Sequence, residues 1–593
     1  MITVLDFGGQ YAHLIARCVR RLNVYSEIKE AETPASDLTD SHGLILSGGP
    51  QSVFDSDSPQ GDPDILKLGI PILGICYGMH WIISALGGQV RKQPKREYGH
   101  TQVHQTTSDS ALLNQCPPSF NVWMSHGDSA TILPAGFSVF AKSDHCPYAA
   151  VGDEKKKQFG LQFHPEVAHT EHGMQILENF VCQCNAPYWS IGNYLEHIKD
   201  QIRQQAGQRK VLMLTSGGVD STVALTLLNQ VLGVDHVQGL LIDNGLMRKN
   251  EAAKVMQAIT ALGINNLMVE DASPIFLDRL ANVTDPEEKR RIIGNTFIDV
   301  KDQVVQRIIG KDDENNWLLG QGTIYPDTIE TGGTKHSAGI KLHHNRSGKV
   351  QELIAKGLVI EPLSDLYKDD VRELGETIGL PHEVVWRHPF PGPGLGVRIL
   401  CASKPELLPD FKINFNPDVK YSILPVRSVG VQGDERTYSH ALTLYVGKSC
   451  DIPDAFWQIA VQVPNITDSI NRVVVCLSHN QPHTLWFTPT FIEPSSISLA
   501  READAIVIAT MERYGLYDSV WQFPVVLLPF GVMPGNRSIV LRPVESREAM
   551  TANAAKLKRE ILVTMIEQLL RAPEIDTVFY DLTSKPPATI EWE

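Results

Sequence analysis

The sequence predicts a multidomain α/β protein in which two doubly wound, mainly parallel-sheet domains precede an α+β C-terminal region. Three observations predict this fold class. Short apolar runs alternate with helix-like stretches from Met1 to about Tyr188, the same alternation returns after a polar connector, and the last part of the chain contains a weak internal repeat. With 593 residues, the chain is long enough for about three or four domains of ordinary size.

The first two domains are predicted from the position of their strand-like runs. ITVLDF, GLILSGG and IPILGIC belong to a domain expected over residues 1–188. The connector SIGNYLEHIKDQIRQQAGQ opens a second domain, expected over 189–400, with the runs KVLMLTSGG, VQGLLIDNG and NWLLGQGT. RHPFPGPGLG marks the end of this domain, because its prolines and glycines forbid regular structure.

The last region, 401–593, is expected to contain two related α+β units. SILPVRSVGVQGDERTYSHALTL is echoed by VVLLPFGVMPGNRSIVLRPV, and INRVVVCLS is echoed by IDTVFYDLT in the same order. Any two amphipathic strands beside a Leu-Pro turn resemble each other to some extent, which is the alternative. We favour an internal duplication, since both pairs of segments keep a comparable gap.

Composition narrows the class of protein and its compartment. A net charge of -15 argues against a general nucleic-acid binder, and no run approaches the ~18 apolar residues of a membrane span. The stretch MITVLDFGGQYAHLIARC lacks the pattern of a secretory signal. The nine cysteines form no C-x-x-C pair, which argues against a disulfide framework or a structural zinc site. We therefore expect a cytoplasmic protein without nucleic-acid or membrane partners.

A cysteine turn is the first candidate catalytic feature. Cys76 ends an apolar run and precedes a helical pattern, in a G-x-C-x-G sequence typical of a nucleophile elbow. His164 could act as the base, and Glu166 could orient it. A lone buried cysteine or a lone His-Pro-Glu is more often structural, so only the combination indicates catalysis. The backbone amides that could donate to an oxyanion are those of Gly48, Gly49 and Tyr77.

These motifs resemble the class I glutamine amidotransferases, in which such a triad hydrolyses the side-chain amide of glutamine through a thioester and releases ammonia. SHGDS resembles the family segment that helps to hold glutamine, and it contains Ser125, His126 and Asp128. The family commonly has glutamine where this chain has His80. The resemblance therefore implies that His80 lies at the glutamine site and alters the detail of binding there.

The run LTSGGVDST is the second candidate feature. Gly217 and Gly218 are expected at a strand-to-helix turn whose free amides and helix dipole favour a phosphate. The run is not the common G-x-x-x-x-G-K-[ST] loop, because no lysine follows the glycines and Asp220 stands in the middle. An ordinary glycine turn with a serine cap is the structural alternative.

SGGVDS resembles the loop of the ATP-pyrophosphatase superfamily, which cleaves ATP between the α and β phosphates. The loop would grip the β and γ phosphates, and Asp220 would be a ligand of the magnesium ion that neutralises the pyrophosphate. The residues assigned to ATP are Ser216, Gly217, Gly218, Val219, Asp220, Ser221, Thr222 and Lys368.

Further segments resemble the GMP synthase family. They are PEEKRRIIGNTF, GQGTIYPDTIE, IEPLSDLYKDDVR, RHPFPGPGLGVRI, VGVQGDERTY and DLTSKPPATIEWE. The resemblance implies that XMP, ATP, glutamine and water give GMP, AMP, pyrophosphate and glutamate. It assigns XMP contacts to Arg290, Asp434, Gln522, Lys585 and Glu591, although Arg290 could instead belong to a solvated basic helix face. KLHHN, residues 341–345, resembles the mobile lid of the family.

Two rival functions and the state of assembly remain open. One rival is another amidating or thiolating ATP-pyrophosphatase, such as a glutamine-dependent NAD synthetase or a tRNA thiolase; the other is a catalytically degenerate nucleotide-sensing regulator. Shorter members of the family pair their single C-terminal unit in a dimer. A duplicated unit predicts a monomer with a pseudo-two-fold C-terminal region, in which Asp434 and Lys585 meet at one XMP site. A homodimer is the alternative.

Overall fold

The computed structural model contains two compact units. It describes residues 1–593 except 10, 108, 168, 310–315, 333–355, 412, 414–418, 433–434, 447–449, 481–483 and 547–550. The first unit comprises Met1–Gln204, Thr323–Gly357 and Glu361–Leu374, and the rest of the chain forms the second unit. Across these described residues, no helix has the length and apolar character needed to cross a membrane.

The first unit is built on a mixed sheet with the order β2-β1-β3-β4-β9-β8-β7-β5-β6. Its strands are β1 Ile2–Asp6, β2 Ser26–Glu30, β3 Gly43–Leu46, β4 Ile72–Ile75, β5 Gln89–Gln105, β6 Ser119–Ile132, β7 Ser138–Lys142, β8 Ala150–Asp153 and β9 Gln158–Leu161. β2, β1, β3, β4 and β9 are parallel, and the rest pair antiparallel. The helices of this part are Ala12–Arg21, Tyr77–Ala85, Gly173–Cys184 and Ile191–Ala206.

A later segment of the chain also packs in the first unit, through the helix Ala12–Arg21. Arg17 pairs with Asp369 at 2.7 Å, and Arg20 pairs with Asp370 at 3.2 Å. The buried Arg20 guanidinium lies against four aromatic rings, those of Tyr25, Trp189, Tyr325 and Tyr367. These contacts combine ion pairing with cation–π attraction, so they hold residues 361–374 against the first sheet domain.

The second unit begins with a parallel sheet of order β12-β11-β10-β13-β14. Its strands are β10 Lys210–Thr215, β11 Val237–Asp243, β12 Leu267–Asp271, β13 Trp317–Gly320 and β14 Val359–Ile360. The helices of this part of the second unit are Val219–Leu232, Glu251–Ala261, Ser273–Arg279, Pro286–Ile309 and His382–Val385, whereas Tyr325–Gly332 and most of Lys368–Thr377 belong to the first unit. Buried apolar strands with helical connections are the doubly wound pattern that the sequence predicted.

The C-terminal region contains a third sheet of order β15-β16-β17-β24-β21-β19. The strands here are β15 Tyr421–Gln432, β16 Glu435–Tyr445, β17 Ile470–Cys476, β18 Trp486–Phe487, β19 Val525–Leu528, β20 Phe530–Gly531, β21 Arg537–Leu541, β22 Val544–Glu545, β23 Asn553–Ala554 and β24 Ile575–Asp581. The helices are Asp454–Ile466, Pro494–Arg513 and Arg559–Leu569. Together the three sheets confirm the predicted multidomain α/β fold class.

The two halves of the third sheet share one topology, which agrees with the repeat in the sequence. Each half is an antiparallel strand pair followed by a helix and a parallel third strand, and the halves join where β17 and β24 pair antiparallel. Leu442 lies between Ile423 and Val473, whereas Ile539 lies between Leu527 and Val578. Ile423 and Leu527 therefore occupy matching positions, each just before a Leu-Pro pair, as the sequence repeat requires.

Candidate active sites

Cys76 lies at a sharp turn between β4 and the helix Tyr77–Ala85. Its backbone has φ 50° and ψ -103°, a conformation that non-glycine residues rarely adopt. A Cβ on Gly74 would lie 2.5 Å from the Gly78 carbonyl carbon, and one on Gly78 would lie 2.3 Å from the Leu46 oxygen. The turn thus requires glycine on both sides of Cys76, which explains the G-x-C-x-G pattern physically.

His164 and Glu166 lie in the loop after β9 and face the cysteine. Nδ1 of His164 is 2.7 Å from Oε1 of Glu166, and both side chains are buried. Burial alone would lower the pKa of His164, but the Glu166 carboxylate and a hydrogen bond with Cys76 raise this pKa to about 10. An imidazolium beside the thiol favours the thiolate, which is the nucleophilic form of cysteine.

Gly48 and Tyr77 border the same space. A Cβ on Gly48 would lie 3.1 Å from Cε1 of His164 and 3.7 Å from Cβ of Cys76, so only a bare backbone fits between them. A Cβ on Gly49 would clash with the Phe7 oxygen at 2.6 Å. Tyr77 is the first helical residue, so its amide has no acceptor within the helix. The role of these backbone amides as oxyanion donors stays a prediction.

The SHGDS segment forms part of β6. The carbonyl of Ser125 accepts a hydrogen bond from Sγ of Cys76 at 3.7 Å. Nε2 of His126 is 3.2 Å from Oε2 of Glu97 on β5, and its Nδ1 is 2.9 Å from the Asp128 carbonyl. Glu97 was not found from the sequence, because only the β5–β6 register places it opposite His126. The pair fixes the segment beside the cysteine.

Two buried side chains connect β9 to the nucleophile. Nε2 of His80 is 2.8 Å from Oε1 of Gln162, and Nε2 of Gln162 donates to Sγ of Cys76 at 3.9 Å. Burial lowers the pKa of His80 to about 4, so this imidazole is neutral. Sequence reasoning missed Gln162; its only signal was its place immediately before the FHPE run.

The loop between β10 and the helix Val219–Leu232 has the form of a phosphate cradle. Gly217 has φ 75°, and Gly218 is the N-cap of the helix. The Gly217 amide donates to Oγ1 of Thr215 at 3.1 Å, and the Gly218 amide donates to Oγ of Ser216 at 3.3 Å. Val219 opens the helix, whose first amides have no helical acceptor.

The hydroxyls that follow the glycines are engaged with the loop itself. Oγ of Ser221 donates to the Gly218 carbonyl at 3.2 Å, and Oγ1 of Thr222 donates to the same carbonyl at 2.8 Å. Thr222 is fully buried, so its hydroxyl braces the turn. Asp220, at the second helical position, supplies a carboxylate oxygen of the kind that Mg²⁺ prefers.

Lys368 begins the helix Lys368–Thr377 and belongs to the first unit. The residues that follow it, Asp369 and Asp370, pair with Arg17 and Arg20 of that unit. The structure thus fixes the backbone at Lys368. Its contact with ATP stays a prediction.

Four of the five residues predicted to bind XMP lie in the described part of the second unit, and Asp434 lies outside it. Nε2 of Gln522 donates to Oε1 of Glu591 at 3.0 Å, and Arg398 pairs with that carboxylate at 3.0 Å. Arg290 donates through Nη2 to the Glu593 carbonyl, and its buried Nε has no hydrogen-bond partner among the described residues.

The segment that carries Lys585 joins the two halves of the third sheet. The Lys585 amide donates to the Ala552 carbonyl at 2.7 Å, in the second half. In the first half, the amides of Val429 and Val431 donate to the carbonyls of Trp592 and Pro587 at 2.8 and 2.7 Å. The VGVQ strand of one half thus pairs with the SKPPATIEWE segment that follows the other.

Family models match three parts of the chain. The model described as glutamine amidotransferase class-I matches residues 3–184, and the NAD synthase model matches residues 191–331. The model of the GMP synthase C terminal domain matches residues 509–592. A glutaminase domain followed by an ATP-dependent domain is common to several amidating enzymes, so the C-terminal match discriminates among them.

Curated relatives cover the whole chain. The protein named Probable GMP synthase (glutamine-hydrolyzing) of Leptospira interrogans is 46% identical, over 100% of this chain and 99% of the relative. The GMP synthase (glutamine-hydrolyzing) of Thermobifida fusca is 38% identical, over 100% and 98%. That of Limosilactobacillus reuteri is 42% identical, over 82% and 97%. As its motifs predicted, the chain therefore belongs to the family of glutamine-hydrolysing GMP synthases, which are ligases.

Proposed function

We propose that this chain makes GMP through two separate chemistries, glutamine hydrolysis at Cys76 and adenylylation of XMP at the loop Ser216–Thr222. The observation that carries the proposal is the arrangement of Cys76, His164 and Gly48 around one space at a strained turn. The test is an absorbance assay of XMP conversion with ATP, run with glutamine and then with ammonium. GMP formation from both nitrogen sources is expected, and failure with both would contradict the proposal.

The Cys76 site hydrolyses the side-chain amide of glutamine. Its sulfur attacks the amide carbon, and the backbone amides at Gly48, Gly49 and Tyr77 stabilise the oxyanion. His164 protonates the departing nitrogen, which leaves as ammonia and gives a thioester on Cys76. Water then attacks the thioester, with His164 as the base, and releases glutamate. Ser125, His126, Asp128 and His80 border the place where glutamine binds.

The second site activates XMP with ATP. The oxygen on carbon 2 of the purine attacks the α-phosphorus of ATP, and pyrophosphate leaves. Ammonia then displaces AMP from carbon 2 to give GMP. The first amides of the helix Val219–Leu232 hold the β and γ phosphates together with Ser216, while the hydroxyls of Ser221 and Thr222 brace the turn.

Magnesium fits the donor set of the phosphate loop. Mg²⁺ is usually held by one or two carboxylates together with substrate phosphates, and Asp220 supplies one carboxylate at the start of the helix. When bound there, Mg²⁺ neutralises charge on the leaving pyrophosphate. Asp220 has this holding role in our proposal, and the loop amides orient the phosphates beside it.

XMP lies between the two halves of the C-terminal region in this proposal. Arg290, Gln522, Lys585 and Glu591 contact XMP, with Asp434 contributed by the first half. The buried Nε of Arg290, which has no hydrogen-bond partner among the described residues, supports a ligand there, because a buried donor without a partner is costly. The proposed domains are 1–188 for glutamine hydrolysis, 189–400 for adenylylation and 401–593 for completing the XMP site.

Replacement of Glu166 by glutamine should weaken glutamine hydrolysis by about 10²- to 10⁴-fold in kcat, because the carboxylate orients His164 and favours its charged form. Without Glu166, burial lowers the pKa of His164, so less imidazolium and less thiolate form at pH 7. Alkylation of Cys76 by iodoacetamide at pH 7 should slow in parallel. Normal alkylation with a normal kcat would contradict the role of Glu166.

The chain should be a monomer in solution. The two related halves already pair through β17 and β24 within one chain, as an isologous interface would pair two subunits. Covalent linkage sets their effective concentration at about the millimolar level, so the internal pair outcompetes a dimer. Light scattering at micromolar concentration should give a mass near 65.7 kDa. Twice that mass, unchanged on dilution, would show that the duplication does not replace the dimer.

A cytoplasmic location completes the proposal. All nine cysteines are free thiols, which fits a reducing compartment. Small molecules are its partners: glutamine, ATP and XMP.

A further inference from the structure

Gln162 is placed to act on the nucleophile although no motif identified it. It is fully buried directly after β9, and its backbone amide donates to the Ala149 carbonyl at 2.9 Å. Its side chain bridges two groups, Nε2 of His80 at 2.8 Å and Sγ of Cys76 at 3.9 Å. A buried amide aimed at the attacking atom needs an explanation beyond packing.

The chemistry of the two contacts fixes how the Gln162 amide is oriented. His80 is neutral, so its Nε2 carries a proton in one tautomer and donates to Oε1 of Gln162. That bond leaves the NH₂ group of Gln162 facing Sγ. The opposite orientation would direct an oxygen lone pair at the sulfur, which repels a thiolate. A donating His80 therefore selects the orientation that stabilises negative charge on Cys76.

We propose that Gln162 is a catalytic residue of glutamine hydrolysis, which donates a hydrogen bond to the Cys76 thiolate, and that His80 is the positioning residue that holds it. The class I amidotransferases that this chain resembles commonly have glutamine at the position of His80, so the His80–Gln162 pair departs from that common pattern. The inference rests on the proposed function of the Cys76 site. It adds a second donor to the sulfur besides His164.

Other titratable groups lie around Gln162 and His80, and they also affect the pH profile of Cys76 alkylation. His164 interacts with Cys76, Glu166 acts on His164, and the buried thiol of Cys146 lies close enough to interact with Cys76. His126 and Asp128 interact with His80. Substitution of Gln162 leaves all five in place, so a change in the profile can be assigned to the lost amide.

The test compares Gln162→Met with Gln158→Met in the full-length chain. Gln158 is similarly buried and donates to the Leu66 carbonyl at 2.9 Å, so its variant loses one buried hydrogen bond away from Cys76. For Gln162→Met we expect glutaminase kcat to fall about 10- to 100-fold with KM changed less than about threefold. The iodoacetamide alkylation profile of Cys76 should move upward by about one pH unit.

A second pair of variants tests the positioning role. His80→Leu removes the donor and should reproduce about a tenfold loss in kcat, together with the shifted alkylation profile. His80→Gln keeps a donor at similar reach and should restore most of that loss. An unchanged alkylation profile in Gln162→Met, or a loss confined to KM, would overturn the proposal.

The same measurements separate this inference from the proposed function. Alkylation of Cys76 needs no turnover, so it reports the state of the thiol even if GMP formation fails. Wild-type chain that forms no GMP from ammonium would contradict the proposed function and leave the alkylation result standing. Thermal unfolding of each variant shows whether it has folded. If Gln162→Met does not fold, Gln162→Leu takes its place.

Discussion

Replacing Cys76 by alanine is expected to abolish glutamine-dependent GMP formation and to leave ammonium-dependent formation largely intact. In the proposed mechanism the sulfur forms the bond to the glutamine side-chain carbon, so its removal leaves this step without its nucleophile. Loss of a nucleophile typically costs about 10⁴-fold or more in kcat. The synthetase reaction needs only ammonia, which external ammonium supplies.

The structure indicates that Cys76→Ala tests the role of the sulfur alone. Cys76 occupies a strained turn with φ 50°, and alanine keeps the Cβ that this turn accommodates while removing only the sulfur. The matched control is Cys182→Ala, which removes an exposed thiol from the helix Gly173–Cys184 of the same domain. The control should retain activity with both nitrogen sources.

The measurement is the absorbance assay with ammonium and glutamine in parallel, together with glutamate release. Loss of both activities in Cys76→Ala, with a normal unfolding transition, would contradict the assignment of two separable chemistries. Retention of glutamine-dependent synthesis would show that another residue is the nucleophile.

The strands with the clearest hydrophobic signals were the predictable part of the fold. KVLMLT became β10 and IPILGI contains β4, because fully buried parallel strands are read directly as apolar runs. The long hairpin of β5 and β6 was not predicted. β6 alternates between buried and exposed residues and includes SHGDS, which resembles a polar loop when it is read alone.

The packing of residues 361–374 in the first unit lay beyond sequence reasoning. Its contacts join Arg17 and Arg20 to Asp369 and Asp370, about 350 positions away along the chain. Nothing in local periodicity encodes such a pairing. The sequence placed LYKDD in the adenylylating domain through its family motif, and it carried no information about the partners of the two aspartates.

Cys76, His164 and Glu166 could be predicted from the sequence because each lies in a local motif, and the structure brings them together while their catalytic role stays a prediction. Gln162 and Glu97 could not be predicted in this way, because their partners are distant in the sequence. Gln162 contacts His80 and Cys76, and Glu97 contacts His126. His80 departs from the glutamine that is common in the class I amidotransferases, and this departure is the feature that would favour a catalytically degenerate regulator. In the structure, this histidine has a definite partner beside the nucleophile, so its departure from glutamine no longer argues for lost catalysis.

Replacing Asp220 by alanine is expected to stop GMP formation from either nitrogen source. Both reactions require adenylylated XMP, and that step requires a neutralised pyrophosphate leaving group. Removing one electrostatic stabiliser of a developing charge costs about 10²- to 10³-fold in kcat. Losing a metal ligand adds to this cost. A fall of at least about 10²-fold should therefore appear with glutamine and with ammonium alike.

The position of Asp220 distinguishes a chemical role from a structural one. Val219 and Asp220 open the helix, while the turn before them is braced by Thr215, Ser221 and Thr222 through their own hydroxyls. Those bonds are made by other side chains, and a thermal unfolding transition like that of the wild type would show that the variant keeps its fold. Asp235→Ala removes an exposed aspartate from the loop between the same helix and β11, and it is the matched control.

The decisive measurement is the response to magnesium. Wild-type chain and Asp235→Ala should share one magnesium dependence in the ammonium-driven assay, whereas Asp220→Ala should need much more of the ion or fail to respond. Glutamine hydrolysis by Cys76 should be measured in the same preparations, because its persistence shows that the first domain is folded. Near-normal ammonium-driven turnover in Asp220→Ala, with unchanged magnesium dependence, would mean that the loop binds phosphate without this carboxylate.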